Sequence, residues 1–116
     1  MAEAVAELRY RGWRSKGKCR VVICKGQQIA SLTHVVRHSP DGFEWGYAGS
    51  GPADLARSIL VHFRMHTRGV SRVEACAWAD ELYQEFKQHI VAVLPRERWT
   101  LDLSDVSAWV SEQEGK

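Results

Sequence analysis

No stretch of this 116-residue chain approaches the ~18 consecutive apolar residues of a membrane span. Its opening, MAEAVAELRYRGW, has no basic region followed by an apolar one, so no secretory signal is expected. Cysteine is scarce and odd in number, with Cys19, Cys24 and Cys76 alone. Cys19 and Cys24 do not have the CxxC spacing of a zinc knuckle or redox motif, so all three are read as free, partly buried thiols in a reducing compartment. Walker loop, dinucleotide fingerprint, HExxH pair and G-x-S-x-G elbow are all missing, and so are internal repeats, low-complexity tracts and linkers. These absences exclude a membrane-spanning or disulfide-scaffold chain. They leave no catalytic residue, metal or cofactor to assign, so binding is favoured over catalysis. The expectation is a soluble, cytoplasmic protein.

What is present is the composition of one ordinary globular domain over residues 1–116, with 45% hydrophobic and 26% charged residues. A chain of this length buries about two-thirds of its unfolded surface, enough to fold without a metal or disulfide.

The formal net charge of +2 hides an asymmetry. Residues 1–40 carry Arg9, Arg11, Arg14, Lys16, Lys18, Arg20, Lys25 and Arg37 against Glu3 and Glu7, a net +6, and the remainder is net −4. A basic front and an acidic back predict two electrostatic faces, the basic one suited to nucleic acid or an acidic protein surface. The plainer alternative is that these cations line the solvent side of a strand pair.

The hydrophobic pattern changes period along the chain. LRYRGW (8–13) predicts a strand, broken at Ser15-Lys16-Gly17. Cys19, Val21 and Ile23 alternate with Arg20, Val22 and Cys24 as a second strand. After a Lys25-Gly26-Gln27 turn, Ile29, Leu32 and Val35 predict a third, antiparallel to the second. Ser39-Pro40-Asp41-Gly42 is a turn tetrad, and Phe43–Tyr47 predicts a short strand with its aromatics on one face. Helical spacing then takes over. Pro52 at a first helical position, with Asp54 favouring the dipole, opens a helix to His66 whose face is Leu55, Ala56, Ile59, Leu60 and Phe63, closed by Thr67-Arg68-Gly69. A Ser71/Glu74 capping box opens the longest predicted helix, with a stripe of Ala75, Ala79, Leu82, Phe86, Ile90 and Val93 ended by Pro95. Trp99-Thr100-Leu101 predicts a short strand or extended turn. Ser104-Asp105 is expected to cap a last helix that buries Val106, Trp109 and Val110, with a frayed tail from Glu112. The fold class is therefore α+β: a small antiparallel sheet from the N-terminal half packed against two main helices and a short C-terminal helix.

Three constellations bear on chemistry. Gly46, Gly49, Ser50 and Gly51 form a glycine-rich loop (46–54) running into a helix N-terminus, an arrangement able to cradle a nucleotide or phosphate, although glycine also serves tight strand-to-helix packing. His34/His38 and His62/His66 have i, i+4 spacing, but only the second pair falls on a helix, where no third zinc ligand is evident and a half-buried pair near the helix C-terminus is expected, with the dipole favouring His⁺. Trp13 and Tyr10 interleave with Arg9, Arg11 and Arg14, a pattern suited to base stacking and to protein hot spots alike. Trp78, Trp99 and Trp109 are assigned to the core. Arg96-Glu97-Arg98-Trp99 is either a second exposed recognition point or a salt-bridged turn.

Three blocks carry a resemblance: Ser39-Pro40-Asp41-Gly42-Phe43-Glu44-Trp45-Gly46-Tyr47-Ala48-Gly49-Ser50-Gly51-Pro52-Ala53-Asp54-Leu55-Ala56, then Leu82-Tyr83-Gln84-Glu85-Phe86-Lys87, then Leu94-Pro95-Arg96-Glu97-Arg98-Trp99. With the upstream strands they span most of residues 8–112, and the chain resembles a family of small bacterial and phage proteins that forms a domain of unknown function. It departs from that pattern in the His-bearing stretch 62–69. The resemblance implies a setting of phages, plasmids and integrated elements. The expected function is a non-enzymatic binding protein that docks on a protein–nucleic-acid complex, as an inhibitor of a host defence system such as CRISPR. Its partner-binding residues would be Arg9, Arg11, Trp13, Arg14, Lys16, Lys18 and Arg20. The alternatives are a nucleotide- or phosphate-binding protein or enzyme using loop 46–54, and a homodimer joined through Trp45, Tyr47 or the long helix.

Overall fold

The computed structural model describes residues 7–35 and 42–115. The turn expected at Ser39–Gly42, apart from Gly42 itself, lies outside the described residues, as does His38. Strands β1 (Leu8–Ser15), β2 (Lys18–Lys25) and β3 (Gln28–Ser31) form two successive hairpins, and β4 (Arg98–Asp102) pairs with the other edge of β1. The antiparallel sheet has the order β3-β2-β1-β4. Both residues at the β1–β2 turn take left-handed backbone, Lys16 at φ 52° and Gly17 at φ 77°, which is what a type I′ hairpin turn requires.

Helix α1 (Ser50–Arg68) is the centre of the second layer. Its predicted stripe of Leu55, Ala56, Ile59, Leu60 and Phe63 is buried, and so are Asp54, Arg57 and Ser58, because the helix has neighbours on several sides. It ends as predicted, with Gly69 at φ 65° donating its N–H to Met65 O. Helices α2 (Arg72–Asp80) and α3 (Tyr83–His89) pack on α1, and α4 (Leu103–Glu114) closes the core beside β4. The fold is α+β, with every helix on one side of the sheet.

Several expectations are corrected. The single long helix from Ser71 is two helices, interrupted at Glu81–Leu82 by tight bonds from Glu81 N–H to Trp78 O and Leu82 N–H to Ala79 O. The break lets Ala75 and Ala79 on one segment and Tyr83 and Phe86 on the next both reach the core, where one straight helix would leave α1 after a short crossing. A 3₁₀ turn at Val91–Val93 then shifts the phase, burying Val91 and leaving the predicted core residue Val93 exposed at 71%. Phe43–Tyr47 is not a strand: Gly46 bends the chain at φ 85°, Trp45 is fully buried and Tyr47 is exposed, so Trp45 has no surface to offer a dimer. β3 stops at Ser31; Leu32 N–H still donates to Val21 O of β2, and His34 and Val35 then bond to α1. α1 starts at Ser50, with Gly49 as N-cap, and α4 starts at Leu103, capped by Asp102 with Asp105 reciprocating. That last helix runs through Glu114 without fraying at Glu112. Among the described residues, no helix is long and apolar enough to cross a membrane.

Candidate functional site

Alternation along the strands sorts the sheet into two faces. Leu8, Tyr10, Val21, Trp99 and Leu101 point at the helices and are buried. Register places Arg9, Arg11 and Trp13 of β1 beside Cys24, Val22 and Arg20 of β2 and beside Asp102, Thr100 and Arg98 of β4. These residues form the outer face, which no helix covers among the described residues, and none of them belongs to the main hydrophobic cluster under the helices.

Trp13 lies half-buried between its two cross-strand neighbours Arg20 and Arg98, both exposed. With Arg11, Gly12, Arg98 and Thr100 it lines a groove of about 490 Å³. A second hollow of about 580 Å³ runs along Arg9, Arg11, Cys24, Ile29 and Thr100 on the same face. Cys24 is buried there although it faces outward, shielded by its arginine neighbours and Ile29. Arg9 is held by Asp102 at 3.7 Å, whereas among the described residues no carboxylate lies within ion-pair distance of Arg11, Arg20 or Arg98.

Of the residues singled out from the sequence, Arg9, Arg11, Trp13, Lys18 and Arg20 share this face, and Lys16 stands at the hairpin tip beside it. Arg14 does not join them. Its even position in β1 turns it to the helix side, where Nη2 donates to Glu44 Oε1 at 2.8 Å, Nε to Arg96 O at 2.7 Å and Nη1 to Cys19 Sγ at 2.9 Å. The Glu44 hydrogen bond raises the Arg14 pKa, and the same bond lowers that of Glu44. Burial, then the Glu44 carboxylate, pushes the Cys19 thiol up, so it stays protonated. Sequence reasoning underrated Arg98, because only the β1–β4 register reveals that it flanks Trp13.

The glycine-rich loop is closely packed at its three glycines. A Cβ on Gly49 would lie 2.6 Å from the Tyr47 ring, one on Gly51 would lie 2.7 Å from Glu44 Cβ, and one on Gly46 would lie 3.2 Å from Arg96 Cγ. Ser50 opens α1 and is exposed. The Glu44 Cβ and Cγ run against this first turn, and Glu44 and Lys18 line one hollow with Ser50 and Gly51.

The histidines also have internal tasks. His34 Nε2 donates to Asp54 Oδ2 at 2.9 Å, and Val35 N–H donates to Ser58 Oγ at 2.9 Å, together fastening residues 32–35 to α1. Asp54, expected as a surface charge at the helix start, is instead fully buried. His62 Nδ1 and Tyr10 Oη share a hydrogen bond at 2.8 Å, and the His62 ring stacks on His66 with centroids 5.8 Å apart. Burial, then the neighbouring His66, lowers the His62 pKa, so the charged form expected of it is disfavoured. Among the described residues, no group of three or more His, Cys, Asp or Glu side chains is placed to hold a metal.

A model for a family of unknown function, DUF6166, matches residues 10–112. The chain belongs to that family. The match takes in almost the whole sheet, all of α1 to α3 and most of α4, so the face bearing Trp13 and its arginine neighbours is part of the DUF6166 domain. No curated protein and no solved structure matches the chain.

Proposed function

We propose that this DUF6166 chain is a non-enzymatic, cytoplasmic binding protein of a phage or mobile element that docks on a protein–nucleic-acid complex through the outer face of its sheet. The observation that carries the reading is the surround of Trp13: an aromatic ring flanked across both strands by Arg20 and Arg98, with Arg11 on the same face and no helix over it. An aromatic platform can stack an unpaired base while guanidinium groups meet phosphates, and an antiparallel sheet holds both at fixed spacing. The finer reading, inhibition of a host defence system such as CRISPR, is supported by the mobile-element setting that the sequence resemblance implies.

The test is a tagged pull-down from the host, with and without nuclease, comparing the native chain with the triple variant Arg11→Glu, Arg20→Glu, Arg98→Glu. The expected result is capture of a nucleic-acid-containing complex by the native chain and its loss in the variant. Unchanged capture by a folded triple variant would overturn the proposal.

A further inference from the structure

A second surface lies at the opposite edge of the sheet, on the helix side. Leu32 N–H donates to Val21 O, and Ile23↔Ala30 and Lys25↔Gln28 are paired further along the same ladder. Antiparallel bonding alternates, so the N–H and C=O groups of Gln28 and Ala30 serve β2, while those of Ile29 and Ser31 point away from it. Among the described residues no strand lies beyond β3. All four β3 residues are exposed, with Ile29 at 64%. An edge of this kind is a template for another strand.

The edge borders a groove of two lobes joined at His62 and His66, which line both. One lobe, about 350 Å³, is walled by Leu32, Val35, Val61 and Met65 and is also lined by Arg72. The other, about 530 Å³, runs over Leu8, Ile23 and Ala30 and is also lined by Lys25. Among the described residues no Asp or Glu lines either lobe. The Tyr10 phenol, kept protonated by burial, is hydrogen-bonded to His62 Nδ1 at 2.8 Å beneath the groove. The groove therefore offers apolar walls together with two cations, Lys25 and Arg72, one in each lobe.

We infer that the open edge of β3 and this groove bind an extended acidic peptide segment of another protein as an added fifth strand. The peptide backbone pairs with Ile29 and Ser31. Its inward side chains alternate along the groove, an apolar one over Met65 and Val61 and acidic ones toward Lys25 and Arg72. Charge complementarity selects this occupant over a second copy of the chain, which would bring the same cations to the same groove. The inference is independent of the outer face.

The test uses the acetylated, amidated pentapeptide Glu-Thr-Val-Thr-Glu, with the Lys-Thr-Val-Thr-Lys analogue as control, followed by amide and imidazole NMR shifts. The acidic peptide should saturate with a Kd below about 1 mM, shifting the Ile29 and Ser31 amides and the His62 and His66 rings. The lysine analogue should bind at least about tenfold more weakly. Ser31→Pro removes an outward N–H from an edge strand, where proline is tolerated, and should abolish binding. If that variant fails to fold, Arg72→Glu decides: it should weaken the acidic peptide about tenfold and improve the lysine analogue. The triple variant of the outer face should bind the acidic peptide as the native chain does. Shifts confined to the outer face, equal binding of both peptides, or a dimer by sedimentation that Ser31→Pro dissolves would each overturn the inference.

Discussion

The Arg14 guanidinium carbon lies 4.8 Å from the centroid of the Trp45 ring, and Trp45 Nε1 donates to the same carbonyl, Arg96 O, that receives Arg14 Nε. One cation thus ties β1, the 43–47 segment and the approach to β4 into a single node. It divides the basic N-terminal stretch into a face that is free to bind and one arginine that is structural. Removing the node breaks several bonds together: Arg14→Ala should destabilise by about 2–3 kcal/mol in urea unfolding, while Arg11→Ala stays within about 0.5 kcal/mol. Arg14→Lys should recover little, because a lysine cannot reproduce the guanidinium fork.

A similar contrast holds at Gly12. It pairs with Trp99 across the β1–β4 ladder, and a Cβ there would fall 2.4 Å from Trp99 Cε2. Trp99 in turn meets Trp45 edge-on with ring centroids 5.5 Å apart, so it has little room to retreat. Gly12→Ala is expected to cost about 2–3 kcal/mol from overpacking. In combination with Trp99→Leu the two costs should sum to less than their separate values, and a double-mutant cycle by chemical unfolding checks this.

His34 and Asp54 decide whether residues 32–35 stay docked. His34→Ala takes one partner from a fully buried carboxylate and should cost about 2 kcal/mol. The loss should be accompanied by faster hydrogen exchange at the Val35 amide, which otherwise donates to Ser58. Unchanged protection at Val35 would show that the Ser58 bond alone holds the segment.

How much of this was legible in the sequence depends on the distance over which each signal acts. The hairpins, the α1 stripe, the Gly69 stop and the Ser71 cap are encoded within a few residues, by alternation, helical spacing and cap chemistry, and they appear where expected. The break at Glu81–Leu82 and the phase shift at Val91 answer to packing on α1, and Ala75 to Val93 taken alone has the spacing of a continuous helix. The same limit applies to the site. Strand parity already puts Arg9, Arg11 and Trp13 on one face and Arg14 on the other, whereas Arg98 reaches Trp13 only through the β1–β4 pairing between residues 85 positions apart. Asp54 had the look of a helix-dipole charge because its partner His34 lies 20 residues upstream.

Stability should fall on the acid side through His62. Its folded pKa is held below the ordinary 6.5, first by burial and then by His66. The unfolded chain therefore binds the proton more readily, and the stability present above pH ~6.5 is lost as pH falls through that value towards the lower folded pKa. Thermal unfolding between pH 8 and pH 5 should show this loss, and His62→Gln should flatten the profile over the window just below pH ~6.5. A variant as acid-sensitive as the native chain in that window would assign the loss to another group.

The outer face makes the sharpest numerical claim. If Arg11, Arg20 and Arg98 each neutralise a phosphate of a single strand, the slope of log K against log salt should become shallower by about 0.7 for each arginine changed to alanine. Trp13→Ala should weaken binding by about 1–3 kcal/mol at every salt concentration, and Trp13→Phe should restore most of it, because stacking needs a ring and a phosphate contact does not. Arg14→Lys, on the other face of the same strand, should leave the slope untouched wherever the chain remains folded. Fluorescence anisotropy with a labelled oligothymidine across a salt series measures all of these together. A slope that is insensitive to the three arginines, with affinity still lost in Trp13→Ala, would shift the reading from phosphate contact to an apolar protein surface seated on the tryptophan.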